Sequence, residues 1–500
     1  MTSTLVLIGS LVMLLSFLLV ATMTLDAIPV AINIPIFTFC VGLLFFNRSY
    51  FVIGIVLCSV LATIGANSVD LSIGEIATRD LVYSFSSFRL GFVNLGLYNS
   101  ALVLCGLFVL RNYISDIAGT IRIFLIPVLL VVFSVFQYLI YYQYSGLTTS
   151  NRAIVVFLFL ALAIGNLKVH PAELDVYGKS IFILLAFYSV FMVLPQLDVR
   201  AGRAMFVFAM IGIPLVWHFF KSRSAFLTVL AVVIACAIAF MFLFSTYWTK
   251  VMILVSVLSI FVGLPILQKM PKLYWIVPIF TIGLAISPQF FNYDYDMREI
   301  YQRITKDRDT SGIGDLSEFN LMEIKEMVTA KFLAERSMLW KSAMDYSFNP
   351  IGVVTVLPDP SGHFTLTVGP LKGFLWLNGP HHGFLWLLRV YGLVIGPLIF
   401  FYIHLLVYRN IQIQWPKGTA MHDVLQPFLL TFGICGFVIG DYPMNNSGGL
   451  LLFVLIGLAI NYNRQRSRFM PPTPSFTRLA KQPEAADIMA GARINPAGPR

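Results

Sequence analysis

Two adjacent histidines and one arginine form the group of residues in this chain best suited to chemistry. His381 and His382 stand directly before an apolar segment, and Arg389 lies inside that segment, seven residues after His382. An imidazole takes up or releases a proton near neutral pH, and a guanidinium binds anions through paired N–H groups. Ionisable groups placed where water meets hydrocarbon are costly, so this cluster indicates a functional site.

Arg389 has two competing interpretations. A separation of seven residues is two helical turns, which places Arg389 on nearly the same helix face as His382. In the first interpretation its charge meets an anion or a polar partner inside the protein. In the second its long side chain extends outward to the lipid headgroups. The sequence leaves both open.

The composition indicates a membrane protein. The chain has 500 residues, of which 58% are hydrophobic and only 12% are charged, whereas about a quarter of the residues of a soluble protein are charged. Apolar runs of the length that crosses a bilayer as helix recur throughout. The expected fold is therefore all-α, with about 14 transmembrane helices (12–14) and one large external loop.

The apolar runs define the expected organisation of the chain. The predicted spans are 4–23, 28–46, 50–67, 93–110, 122–142, 153–167, 180–194, 204–220, 224–245, 250–267, 273–290, 383–407, 424–441 and 448–462. They give an N-terminal bundle of about eleven helices over 1–290, a loop over 291–382, three more helices over 383–462, and a basic tail over 463–500 that we expect to be disordered.

Lysine and arginine in the short connections predict the orientation. The basic connectors fall on one side of the predicted bundle, which the positive-inside rule makes cytoplasmic, with both termini on that side. The loop 291–382 is then external, and its twelve acidic and nine basic residues fit that side, although the whole chain carries a net charge of +10. The basic surplus is thus a topology signal and predicts no nucleic-acid partner.

The external loop contains a segment with helical periodicity. Apolar residues recur every three to four positions between Phe319 and Ala343, with Asp315 or Ser317 as a candidate N-cap and Pro350 beyond the C-terminal end. The pattern predicts an amphipathic helix lying over the bundle.

Two segments of this loop carry a family resemblance. ERSMLWKSAMDYSFNPIGVV resembles the segment that opens the large periplasmic loop of O-antigen ligases and O-antigen polymerases, in which an arginine is followed by tryptophan, a helix and a Pro and Gly pair. Arg336, Trp340, Pro350 and Gly352 occupy those places.

The second segment, HHGFLWLLRVYGLVIG, is similar to the motif that closes the same loop. His381 and Gly392 fit its spacing. Two positions depart from the family pattern: His382 stands where the family usually has Asn, Ser or Gln, and Gly396 comes one residue later than the common second glycine.

The resemblance implies a glycosyltransferase of the bacterial inner membrane. Such enzymes transfer or polymerise glycan from undecaprenyl diphosphate on the periplasmic side, onto an acceptor glycan or lipid A-core. It implies no cofactor and no metal, since arginines supply the positive charge. The expected partners are the lipid-linked oligosaccharide, the acceptor and the membrane lipids, and the resemblance leaves room for a chain-length regulator. A transporter or flippase for lipid-linked glycan is the alternative.

The resemblance also assigns roles to residues. It makes His381 the first candidate for general base, with His382 sharing that role because the doubled histidine leaves the register ambiguous, and it makes Arg336 the first candidate for binding diphosphate. The competing interpretations are a helix-capping histidine and a solvated residue of an amphipathic helix.

Two further basic candidates rest on the predicted topology. The family's Ser-Arg pair before the loop has a look-alike at Arg223, but the charge rule places that turn inside; the equivalent external turn holds Lys250. Arg200 and Arg203 lie in another external turn against the charge rule, which makes Arg203 a further diphosphate candidate.

Overall fold

The structure is a computed structural model in which apolar helices dominate. It describes residues 87–90, 93–96, 117–140, 147–167, 204–222, 224–244, 247–287, 340, 350–351, 382–413, 415, 418–438 and 447–469. The predicted spans before residue 87 and the predicted span 180–194 lie outside these residues, as does the basic tail beyond Phe469. The total of 14 spans therefore stays a prediction.

The helices follow the apolar runs of the sequence. Their bounds are α1 Ile117–Ile140, α2 Leu147–Gly165, α3 Ala204–Phe220, α4 Ala225–Phe244, α5 Tyr247–Leu258 continued by a π-helical turn Ser259–Gly263 and by Leu264–Lys269, α6 Ile276–Ile286 after a 3₁₀ turn Pro271–Trp275, α7 Gly383–Ile411, α8 Gln426–Cys435 after a π-helical turn Met421–Leu425, and α9 Ser447–Phe469. Each overlaps a span predicted from the sequence.

Three segments of the described helices are long and apolar enough to cross a membrane. They are Ala118–Gln137 in α1, Lys250–Lys269 in α5 and Tyr391–Ile411 in α7. Helix α1 also exposes a row of large apolar side chains that includes Leu129 and Leu139. A soluble protein rarely exposes such a surface, so the length, apolarity and exposed surface of these helices are consistent with a membrane protein.

The described residues are helical, as the all-α prediction expects, apart from one short hairpin. Strands β1 (Ser87–Leu90) and β2 (Val93–Gly96) form an antiparallel hairpin with Leu90 opposite Val93. The predicted span 93–110 begins on β2. The two intervening residues read Gly91-Phe92, and glycine in the first position is favoured in two-residue hairpin connections. Apolar composition alone cannot distinguish a short strand from the start of a helix.

Helices α2 and α9 approach each other closely because both carry small residues at the contact. A Cβ on Gly457 would lie 2.8 Å from the carbonyl oxygen of Ala161, and a Cβ on Gly165 would lie 2.7 Å from the side chain of Ile460. Asn461 then donates to the carbonyl of Ile164 at 2.6 Å. Small residues permit this backbone approach in membrane bundles, and the amide satisfies a carbonyl at the helix end.

Candidate functional site

Helix α7 is a hairpin of two helices. The backbone at Gly392 has φ 76° and ψ −177°, a conformation that is essentially confined to glycine. We call the arm before it, residues 383–391, α7a and the arm after it, residues 393–411, α7b. The sequence predicted one continuous span over 383–407; that prediction is wrong, because Gly392 reverses the direction of the chain.

Two contacts show that α7a folds back along α7b. A Cβ on Gly396 would lie 2.7 Å from the carbonyl oxygen of Leu387, although these residues would be about 13 Å apart along a straight helix. The rings of Phe384 and Phe400 have centroids 4.9 Å apart, against about 24 Å along a straight helix. The arms are therefore antiparallel and in contact.

His382 begins α7a inside the protein. Its backbone is extended, it holds the N-cap position, and its side chain is fully buried. The N–H of Gly383 donates to the carbonyl of Phe437 at 2.7 Å, which ties the start of α7a to the end of α8. The ring of Phe437 in turn lies 4.8 Å from that of Phe400 in α7b. His382 therefore lies beside the middle of α7b.

The hairpin also fixes where Arg389 lies relative to His382 along α7a. The sequence placed the imidazole at the mouth of a helix and Arg389 two turns deeper. In the hairpin, the backbone of Arg389 comes three residues before the turn at Gly392, so Arg389 is nearer the turn and His382 is farther from it. The physical reason is the left-handed backbone at Gly392, which sends α7a back along α7b.

The described residues of the predicted loop contact the bundle at two points. Trp340 lies in helical backbone, is only 3% exposed, and its ring meets the ring of His382 edge-on at a centroid distance of 4.9 Å. Gln137 near the end of α1 donates to the carbonyl of Ile351 at 2.7 Å. The loop therefore has fixed contacts with helices on both sides of it in the sequence.

Several predicted site residues lie outside what the structure describes. Arg336, His381 and Arg203 are among them, and only the backbone of Arg389 is described. Lys250 is partly buried in the first turn of α5, and the part of α5 that contains it packs against α3, α4 and α8. The structure thus joins His382 to Trp340, a close sequence neighbour of Arg336, and leaves the other assignments as predictions.

A second buried histidine lies in α7b. Nδ1 of His404 is 2.8 Å from the hydroxyl of Tyr274, and the rings of Phe400 and Phe437 flank the imidazole at 4.5 and 4.8 Å. The Tyr274 hydroxyl occupies the space that a side chain on Gly433 would fill, since a Cβ there would lie 2.5 Å from it. This pair connects the 3₁₀ turn before α6 to α7b and α8, which is a structural role.

Asp423 is the centre of a charged cluster at the end of α3. Its carboxylate is buried and lies 3.2 Å from Nδ1 of His218, 2.7 Å from Nδ1 of His422 and 3.4 Å from Nζ of Lys221. Burial alone would raise the pKa of Asp423, but hydrogen bonds from His218 and His422, together with the charge of Lys221, hold that pKa well below its ordinary value. The cluster joins α3 to the turn before α8 on the predicted cytoplasmic side.

Asp423→Asn is expected to lower the stability of the protein at neutral pH by about 1–3 kcal/mol, because Lys221 loses its counter-charge and the two histidines lose a charged hydrogen-bond acceptor. The pKa of Asp423 is lower in the folded state than its ordinary value of 3.8. The carboxylate therefore stabilises the fold above about pH 4 and loses that contribution as pH falls below it. Melting temperatures in detergent should differ most at neutral pH and converge in acid.

Lys221→Met is the control, because Lys221 is 43% exposed and exposed ion pairs contribute little. An equal fall in melting temperature for both variants would contradict the role given to the buried carboxylate, as would a difference between wild type and Asp423→Asn that persists unchanged in acid.

No metal site was predicted, and among the residues that the structure describes no group of three or more His, Cys, Asp or Glu side chains could hold a metal ion. The acidic loop pairs Asp294 with Asp296 and Asp307 with Asp309 lie outside those residues.

Sequence reasoning missed two features of this site. The first is the hairpin at Gly392; Gly392 and Gly396 were noted only for their spacing in the resemblance. The second is the contact of Trp340 with His382, which no local pattern encodes. The pairing of the two loop segments in the resemblance was the one indication that they meet.

Comparisons with known proteins found no match: no family model, no curated protein and no solved structure matches this chain.

Proposed function

We propose that the chain is an inner-membrane glycosyltransferase that uses glycan linked to undecaprenyl diphosphate, on the periplasmic side, in the manner of O-antigen polymerases and ligases. The observation that carries the proposal is the contact between Trp340 and His382. The opening and closing segments of the large loop meet at this contact, as a shared site would require.

The reaction needs one base and a binding site for an anionic leaving group. The acceptor hydroxyl oxygen forms a bond to the anomeric carbon of the donor sugar while the bond from that carbon to the diphosphate oxygen breaks. The diphosphate leaves with the bonding electrons, and the base takes the hydroxyl proton. Positive charge at the departing diphosphate stabilises the transition state.

The residues supply both requirements. His381, or its sequence neighbour His382, provides the base, and Arg336, four residues before Trp340, provides a guanidinium for the diphosphate. Arg389, Lys250 and Arg203 remain further candidates for diphosphate binding. His382 itself is fully buried against Trp340, which suits a residue that positions its neighbour. In this proposal the enzyme works without a metal.

Polymerase activity is the preferred form of this proposal. Surface-polysaccharide polymerases vary more in sequence than ligases, and His382 and Gly396 depart from the ligase-like motif. Ligase activity would use the same site and differ in the acceptor, a growing glycan in one case and lipid A-core in the other.

The test is reconstitution. Purified protein in lipid nanodiscs is supplied with undecaprenyl-diphosphate-linked oligosaccharide, with and without lipid A-core, and the products are separated by size. Longer lipid-linked glycan supports a polymerase, and glycan joined to lipid A-core supports a ligase. No transfer in either reaction, from protein that remains folded, contradicts the proposal.

A transporter or flippase for lipid-linked glycan is the second candidate. The hairpin at Gly392 favours it, because broken helices and buried polar groups at membrane depth are typical of transporters. The side chains of His382 and His404 are also buried among these helices. Within the described residues, however, the buried side chains include no Lys, Arg or Glu, and Asp423 lies at the bundle end. Movement of lipid-linked glycan across a sealed vesicle without any new glycosidic bond would establish this alternative.

A further inference from the structure

We propose that Trp340 donates its indole N–H to a phosphate oxygen of the lipid-linked diphosphate, at the start of α7a. This inference rests on the proposed function and adds a binding residue to it. Trp340 would be a substrate-binding residue on the loop, in addition to the arginine that precedes it in the sequence.

The first observation is a buried donor. Trp340 is 3% exposed, and its Nε1 has no hydrogen-bond partner in the part of the chain that the structure describes. Burying a polar group without a hydrogen-bond partner costs free energy, and nearly all buried donors in native proteins therefore have a partner. Trp415 is also buried, but its Nε1 has a partner: it donates to the carbonyl of Asn410 at 3.4 Å.

The second observation is what surrounds that donor. The Trp340 ring meets His382 edge-on at 4.9 Å, with 81° between the ring planes, and His382 is the N-cap of α7a. The N-terminal end of a helix carries a partial positive charge that favours anions. The nine residues of α7a, 383–391, direct that end into the interior, so the indole and the helix end are neighbours.

The chemistry of the donor selects the ligand. An indole N–H donates and cannot accept, so it suits an oxygen that only accepts. Phosphate oxygens are such acceptors, and a neighbouring helix N-terminus adds an attraction that a neutral hydroxyl lacks. Diphosphate therefore fits the pair better than a sugar hydroxyl does.

The alternative is that the indole N–H only packs on the face of the imidazole, since the edge-on geometry allows it. Trp340→Phe separates the two cases, because phenylalanine keeps an aromatic ring against His382 and removes the N–H. Trp415→Phe is the matched control, since it removes an indole N–H that is already satisfied within the protein. Trp340→His restores a ring donor and should recover part of the binding.

Binding is measured with full-length protein in nanodiscs, using undecaprenyl diphosphate without glycan as the probe and undecaprenol as the uncharged control. A hydrogen bond to a charged group corresponds to roughly a tenfold to hundredfold change in affinity. We expect Trp340→Phe to weaken binding of the diphosphate by about that factor, with Trp415→Phe and wild type equal and the melting temperature of Trp340→Phe preserved.

Equal diphosphate binding by wild type and Trp340→Phe would overturn the inference while leaving the proposed function intact, since wild type would still bind the lipid. A loss confined to glycan-loaded lipid would place the contact on a sugar and also overturn the diphosphate assignment. If wild type neither binds undecaprenyl diphosphate nor transfers its glycan, the proposed function fails and this inference falls with it.

Discussion

Glycan transfer by the His381→Gln variant is expected to be about 10²–10⁴-fold slower than by wild type, with an unchanged melting temperature. The loss follows from removing the group that takes the proton of the acceptor hydroxyl, a contribution of that size in general-base catalysis. Glutamine keeps a polar side chain of similar size but cannot act as a base near neutral pH. The measurement is initial rate of product formation at saturating lipid-linked donor.

His382→Gln is the informative comparison for that variant. The imidazole of His382 is fully buried and packs on Trp340, so its replacement should lower the melting temperature as well as the rate. Replacing a positioning residue lowers both the melting temperature and the rate, whereas replacing the base lowers only the rate. If His381→Gln transfers glycan at the wild-type rate, His381 is not the base; if both variants do, neither histidine is, and the proposed mechanism is wrong.

The sequence predicted the class of fold because the physical requirement is local. Crossing hydrocarbon needs a continuous run of apolar residues, and helices such as Ile117–Ile140 and Ala204–Phe220 coincide closely with such runs. The observed helix ends differ from the predicted ends where polar residues continue a helix. Helix α9, for example, extends to Phe469 through several arginines. The length and apolarity of each run therefore predict these helices.

The sequence could not predict the hairpin because glycine is ambiguous inside an apolar run. Gly283 occupies the interior of α6, and a Cβ there would meet no described atom within 4 Å. Gly392 occupies the interior of an equally apolar run and reverses the chain. What separates them is the backbone conformation at each, which depends on tertiary packing and leaves no local signature.

The charged and aromatic contacts were unpredictable for a related reason. His218 and Asp423 lie in different halves of the chain, 205 positions apart. Only folding brings them within 3.2 Å. The same holds for Trp340 and His382, where the family resemblance supplied the pairing that spacing could not.

Helix α7a stays in place only because position 396 lacks a side chain, so Gly396→Ala is expected to disable the site. A Cβ there would lie 2.7 Å from the carbonyl oxygen and 2.9 Å from the carbonyl carbon of Leu387. These are backbone atoms, so α7a as a whole must shift, and His382 at its start shifts with it. Overpacking of this kind costs about 1–3 kcal/mol, and a displacement near 1 Å at a reacting group reduces rates by about 10²-fold.

Gly283→Ala is the matched control for that experiment, since it adds the same methyl group to a helix where described atoms leave the space open. Its melting temperature and rate of glycan transfer should equal those of wild type or rise slightly, as alanine favours a helix. Gly392→Ala should resemble Gly396→Ala, because a φ of 76° strains any residue with a Cβ. A Gly396→Ala protein with wild-type rate and stability would contradict the close contact of α7a with α7b, and with it the buried position of His382 that depends on this contact.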